Sequence, residues 1–264
     1  MTWGTGDFFG GLLARRRRAV PVVLGMQAFG LLFVTVYATL TGGWASGGYL
    51  WAGIAAGLSG TAGLMAFYRA LASGTMGVVA PIAALGVVVP LAYGLFRGDQ
   101  PSGWQWAGIL LAILGVLAAS GPELSGAASA QPLLFAGLAA LLFGTAMAFM
   151  AAGAAASATM TVVVMRVVQV LLAVGFWARW RGFGGLQRSD LPMLAVVGLF
   201  DVSANVMYSL AAALGPVTIV AVLGSFPPVA TAVLGRFFLH ERLTSLQYLG
   251  VGAALAGAIA ISAG

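Results

Sequence analysis

The sequence has no cysteine, and histidine appears once, at position 240. Lysine is missing too, since all twelve basic residues are arginine, and only 7% of the 264 residues are charged. Without cysteine there is no disulfide, no thiolate metal site and no cysteine nucleophile. Without lysine there is no Gly-rich loop closed by Lys-Ser/Thr, which argues against ATP-driven chemistry by this chain alone. A soluble domain carries about 25% charged residues. The polar surface here is too scarce to cover a water-exposed fold of this length, so a soluble protein is excluded.

What the sequence has instead is apolar residues, 61% of the total, with a mean hydropathy of +1.03. At about 20 apolar residues per helical span, the chain holds nine or ten transmembrane helices and no extramembrane domain. The net charge of +6 comes from arginines that mostly sit at span ends. That is the ordinary signal of membrane topology and does not point to a nucleic-acid partner.

Apolar runs broken by Gly, Pro, Ser and charge predict spans over Trp3–Ala14, Val20–Leu40, Tyr49–Leu71, Met76–Phe96 and Trp104–Ser120. After a polar stretch come Leu133–Gly153, Met160–Trp177, Leu191–Leu214, Val217–Leu239 and Leu246–Ser262. The first run reaches only about 18 Å against roughly 30 Å of hydrocarbon. Its basic cluster, Arg15 to Arg18, follows the apolar run, whereas a signal peptide carries such a cluster in front. The expectation is that the outer half of a first helix is missing from this chain.

The chain repeats itself. A shift of 140 residues lays Trp3-Gly4-Thr5 on Phe143-Gly144-Thr145 and Tyr68 on Tyr208. A shift of 142 lays Asp99 on Glu241, Gln105 on Gln247, Gly108 on Gly250, Gly115 on Gly257 and Ser120 on Ser262. The expected fold is therefore an all-α membrane protein of ten helices, possibly nine complete, in two five-helix repeats. Residues 1–121 form the first repeat, 122–132 a linker and 133–264 the second. Because five is odd, the second repeat enters the membrane with opposite orientation, the arrangement of many secondary transporters.

The stretch Phe226-Pro-Pro-Val-Ala-Thr-Ala-Val-Leu-Gly-Arg-Phe-Phe-Leu-His-Glu241, continuing to Gly250 and the small residues up to Gly257, resembles the fourth-to-fifth-span signature of EamA-type proteins. These belong to the drug/metabolite transporter superfamily. Trp3-Gly4, Arg166, Pro228, Glu241 and Gly250 sit where that pattern has its motifs. Met26 stands where the repeat would match Arg166, Asp99 stands in place of Glu, and the first span is short. The resemblance implies two five-helix repeats and movement of small metabolites, without naming the cargo.

Ionisable side chains inside a membrane cost on the order of 3 kcal/mol each and need a partner, a wet cavity or a function. Asp201, Asn205 and Tyr208 fall at i, i+4 and i+7 and share one helical face. The equivalent face of the third span carries Thr61, Met65 and Tyr68. Arg166 keeps its charge and either fixes an anionic substrate group, holds Asp201 or snorkels. Asp7 shares a face with Trp3 and Gly10. The candidate substrate-binding residues are Tyr68, Tyr208, Asn205, Asp201, Arg166 and Asp7. Asp99 and Glu241 neighbour Arg97 and Arg242 and read as helix-terminal ion pairs. Pro81, Pro90, Pro227 and Pro228 predict kinks in spans four and nine.

These features predict a secondary transporter of a small organic metabolite or drug-like compound. It would be a multi-pass protein of the bacterial inner membrane, with the lipid bilayer and a small-molecule substrate as partners and no nucleic acid, cofactor or metal. The oligomeric state is left open by the sequence, with a monomer among the options. An intramembrane enzyme is disfavoured because His240 lies at a span end and no nucleophile–base set converges. A non-transporting scaffold is the remaining alternative. The arginine distribution places odd-numbered connections in the cytoplasm, whereas the resemblance implies that both termini are inside, and the orientation stays open between them.

Overall fold

A computed structural model of the chain describes residues 2–14, 17, 19–73, 76–120, 130–180, 186–238 and 243–263. Among the described residues every regular element is helical. The α-helices are α1 (Thr2–Ala14), α2 (Ala19–Leu40), α3 (Tyr49–Ser73), α4 (Met76–Ala84), α5 (Val88–Phe96), α6 (Gly103–Ala119), α7 (Ala130–Trp180), α8 (Leu191–Leu214), α9 (Val217–Gly224), α10 (Pro227–Phe238) and α11 (Ser245–Ala263). Seven helical stretches are long and apolar enough to cross a membrane, and Gly103–Ala119 is a shorter apolar helix.

Spans four and nine are both interrupted. In the former, Pro81 lies inside α4, a 3-10 turn at Leu85–Val87 follows, and Pro90 lies in the first turn of α5. In the latter, α9 stops at Gly224 and α10 restarts at Pro227. A shift of 140 carries residues 85–87 onto 225–227, so both repeats break at the same place. Proline is tolerated at the start of α10 because the first helical N–H has no intrahelical acceptor.

The sequence predicts a non-helical gap between Gly153 and Met160, and the structure narrows it to one residue. The 51 residues of α7 are helical except at Ser157, whose backbone is extended (φ −165°, ψ 111°). The alanines on either side are strong helix formers. Ser157 then caps the following arm, its Oγ accepting from the Met160 N–H at 3.3 Å. Gly153 abuts Thr161, eight residues on and about 12 Å away in a straight helix. The chain therefore folds back at Ser157, and α7 comprises two arms, 130–156 and 158–180.

The helices form two compact units, Met1–Thr61 with Phe149–Ala213 and Ala62–Ala148 with Leu214–Gly264. Each unit takes segments from both sequence halves, and the division falls inside α3 and α7. In the first unit, small residues let backbones touch. Gly6 and Gly10 of α1 face Val197 of α8, Gly53 and Gly57 of α3 face Val164 and Val168, and Gly198 of α8 faces Met26 and Gly30 of α2. Leu13, Val22 and Leu194 form an apolar cluster among them.

In the second unit, α6 lies along α11 around Ile109, Ala112, Val116, Ala254 and Ile261. Gly108 faces Gly257 and Gly115 faces Gly250. Residue numbers thus fall along α11 as they rise along α6, and the two helices are antiparallel. A Cβ at Gly257 would stand 2.7 Å from the Gly108 carbonyl oxygen, and one at Gly115 would stand 2.8 Å from that of Gly250. These four glycines are the ones that the 142-residue shift superposes. Both helices also open on equivalent capping boxes. Ser102 N–H donates to Gln105 Oε1 at 2.9 Å, and Thr244 N–H donates to Gln247 Oε1 at 2.9 Å.

Asp99 does not form the predicted pair with Arg97. Its Oδ2 accepts from the Thr218 N–H at 2.8 Å in the first turn of α9, where free N–H groups and the helix dipole favour a carboxylate. His240, Glu241 and Arg242 lie outside the described residues.

Candidate functional site

Polar side chains are few in the first unit, and most satisfy themselves locally. The hydroxyls of Thr35, Thr39 and Ser59 donate to the carbonyl four residues back on their own helices, which lets a hydroxyl sit in an apolar span. A guanidinium has too many donors for that solution.

Arg166 sits on the second arm of α7, nine residues after Ser157 and about 13 Å along the helix. It is 1% exposed, among the largest fully buried side chains of the protein. One terminal nitrogen pairs with the Asp201 carboxylate on α8, and the other donates to Gln27 Oε1 on α2 and to Gln169 Oε1, one turn along its own helix, at 3.2 Å. Buried charge is tolerated only when paired and hydrogen-bonded. The glycine contacts between α8 and α2 bring those partners within reach. Gly198 lies against the backbone of Met26 and Gly30, the next residue is Gln27, and a Cβ at Gly30 would stand 3.6 Å from Arg166 Nε.

Asp201, Asn205 and Tyr208 lie on α8 as their spacing predicts. Asn205 Nδ2 donates to the Asp201 carbonyl at 2.6 Å, fixing the turn that presents the carboxylate. Asn205 and Tyr208 are buried, while the Asp201 side chain is 19% exposed. Trp3 of α1 packs on Tyr208 with ring centroids 5.7 Å apart and planes tilted by 42°. Asp7, one turn beyond Trp3, is exposed on α1, and the preceding Gly6 lies against the Asp201 backbone.

Five of the six expected residues (Asp7, Arg166, Asp201, Asn205 and Tyr208) thus fall in one unit. Tyr68 falls in the other, where it is 39% exposed and its ring neighbours Phe67. The repeat equates it with Tyr208, which is 4% exposed. Sequence reasoning missed Gln27 and Gln169. Gln27 is the lone amide in the 22 residues of α2, and Gln169 stands at i+3 from Arg166. Both are readable as partners once a buried cation has to be satisfied.

Sequence reasoning also missed a second ion pair. Arg17, taken with its neighbours as a topology signal, places Nε 2.9 Å from Asp190 Oδ2, and its Nη2 donates to Gln187 Oε1 at 2.9 Å. Asp190 also accepts from the Gln187 N–H at 2.7 Å and so caps the turn that leads into α8. Among the described residues no three or more His, Asp or Glu side chains are grouped to hold a metal ion.

The apolar helices agree with the comparisons with known proteins. A solved structure described only as "Crystal structure of protein" superposes with a TM-score of 0.79 at 13% identity, covering 99% of this chain and 96% of that one. At that identity the likeness speaks for the fold alone. No curated protein matches the sequence significantly. The profile of the EamA-like transporter family matches twice, over residues 1–121 and 131–263. The chain is an integral, multi-pass membrane protein that belongs to the EamA-like transporter family.

Proposed function

We propose that this protein is a secondary transporter that moves a small organic metabolite or drug-like compound across the bacterial inner membrane by alternating access. On this reading ten segments cross the membrane as two inverted five-helix repeats, 1–121 and 133–264, joined by 122–132. The antiparallel course of α6 and α11, the fifth and tenth segments, supports the inversion.

The observation that carries the reading is the Arg166–Asp201 pair with its two glutamines. A scaffold gains nothing from it, since a buried ion pair is on balance no more stabilising than apolar packing of similar volume. Cargo recognition at a polar patch in apolar walls does require such a device. The matched breaks in spans four and nine supply hinges for the motion, since discontinuous helices recur in transporters.

The test is ligand-dependent melting of the purified full chain across a metabolite panel, followed by uptake of the hits into proteoliposomes. A ligand at about 100 times its Kd adds about 2.7 kcal/mol of stability. Uptake above protein-free vesicles is the expected result, reduced in Asn205→Ala at temperatures where that variant stays folded. A folded protein that binds and moves nothing is a scaffold.

A further inference from the structure

The last segment of the second unit, residues 217–263, holds two arginines, Arg236 and Arg242, and one acid, Glu241, which leaves a net charge of +1. Arg236 stands in the last turn of α10, near the end of the apolar stretch Val217–Phe238. That is the level at which a membrane helix leaves hydrocarbon for headgroups. Val233, Arg236 and Phe237 follow at i, i+3 and i+4 and share one face of α10. Tyr248 and Val251, at i and i+3, share one face of α11. With Leu243 these side chains line a surface groove of about 340 Å³.

One polar contact organises the groove. Arg236 Nε donates to Tyr248 Oη at 3.3 Å, and the two terminal nitrogens of the guanidinium have no partner among the described residues. Those nitrogens form the planar fork that matches a phosphate. The phenol accepts from Nε and keeps its own proton to donate. The helix dipole accounts for a cation in the last turn of α10, but not for a tyrosine that holds it beside an apolar groove. Around the groove the surface stays apolar, with Phe237 72%, Phe238 60% and Leu249 71% exposed. In a membrane-spanning chain such a surface meets acyl chains.

The lining holds one cation and no carboxylate, so it offers a phosphate its counter-charge and offers an ammonium nothing. The repeat does not duplicate the arrangement. Shifts of 140 and 142 carry Arg236 onto Phe96 and Gly94, and the shift of 142 carries Tyr248 onto Trp106.

We infer that the groove between α10 and α11 is a binding site for an anionic glycerophospholipid. Arg236 and Tyr248 hold its phosphate, and Val233, Phe237 and Val251 carry the start of its acyl chains. The headgroup has no ammonium, because nothing in the lining answers one.

The test titrates the purified, delipidated full-length protein in detergent with phosphatidylglycerol, phosphatidylcholine or soluble glycerol 3-phosphate, and native mass spectrometry counts the molecules bound. The tightest phosphatidylglycerol is expected to bind about fivefold or more tightly than phosphatidylcholine, the worth of one arginine at an anionic headgroup. Glycerol 3-phosphate is expected neither to bind nor to compete. Arg236→Gln is expected to remove the preference and to keep its melting temperature in lipid-free detergent, because the side chain is exposed. Tyr248→Phe keeps the ring, frees the guanidinium and is expected to weaken the preference. Arg97→Gln, at an exposed arginine after the equivalent span, is expected to retain it.

Equal binding of the two lipids overturns the inference, as does an undiminished preference in Arg236→Gln or an equal loss in Arg97→Gln. Competition by glycerol 3-phosphate makes the groove a site for soluble anions and overturns the lipid assignment. Should Arg236→Gln fail to fold, Tyr248→Phe decides alone, and an undiminished preference there overturns the inference.

Discussion

Arg166 decides what single substitutions do. The sequence alone suggests that Asp201→Asn harms transport far more than folding, since a carboxylate in a wet cavity can be spared. With Arg166 1% exposed and paired to that carboxylate, the same change strands a buried guanidinium. Asp201→Asn is therefore expected to destabilise the protein by about 3 kcal/mol or more, and the Arg166→Met, Asp201→Leu double variant to recover most of it. Thermal unfolding in detergent reads both. Asp99→Ala is expected to cost about 1 kcal/mol through loss of the α9 cap, and Arg97→Ala close to nothing. The face of Asp201, Asn205 and Tyr208 is legible in sequence because helical spacing alone sets it. Gln27 and the Asp99 cap are not, because their partners stand 139 and 119 residues away and depend on how helices pack. Asp99 shows the failure plainly. Its nearest opposite charge in sequence is two residues off, yet its carboxylate satisfies a helix N-terminus.

Among the elements, the α6–α11 seam leaves no room for side chains at its contact glycines. Along it a Cβ would press on backbone at Gly108, Gly115, Gly250 and Gly257, whereas Gly252 on α11 faces open space. Gly115→Leu is expected to destabilise by about 3 kcal/mol, at the upper end of overpacking costs, and Gly252→Ala to be neutral or slightly stabilising by helix propensity. Comparing the melting temperatures of the two variants checks this. Hydropathy located the apolar runs because membrane burial acts on every residue of a span. It placed the connection between spans six and seven at 154–159 but did not narrow it to Ser157, where alanines keep the helix going up to a single extended residue. The paired caps at Ser102 and Thr244 were legible in principle, since Ser/Thr followed at the third position by Gln is a start signal.

For the molecule as a whole, the proposed inverted repeat puts the N-terminal caps of the antiparallel α6 and α11 on opposite faces of the membrane. The chain has no native cysteine, so Gly103→Cys and Ser245→Cys each supply a unique label. In sealed vesicles of one orientation, a membrane-impermeant maleimide is expected to label one of them from outside and the other only after permeabilisation. Labelling of both from the same side would contradict the inverted repeat. The repeat itself was readable because matched glycines and glutamines survive in one register. The two compact units were not, because each assembles from both halves of the sequence. The claim on which everything else depends is transport through the site in the first unit. Its most direct test is accumulation, in ATP-free proteoliposomes, of the metabolite that most stabilises the purified protein. The account predicts gradient-driven uptake above protein-free vesicles, reduced about tenfold in Asn205→Ala at temperatures where that variant stays folded, a loss of roughly 1.4 kcal/mol. Uptake no greater than in protein-free vesicles, from protein that is folded and inserted, would contradict it.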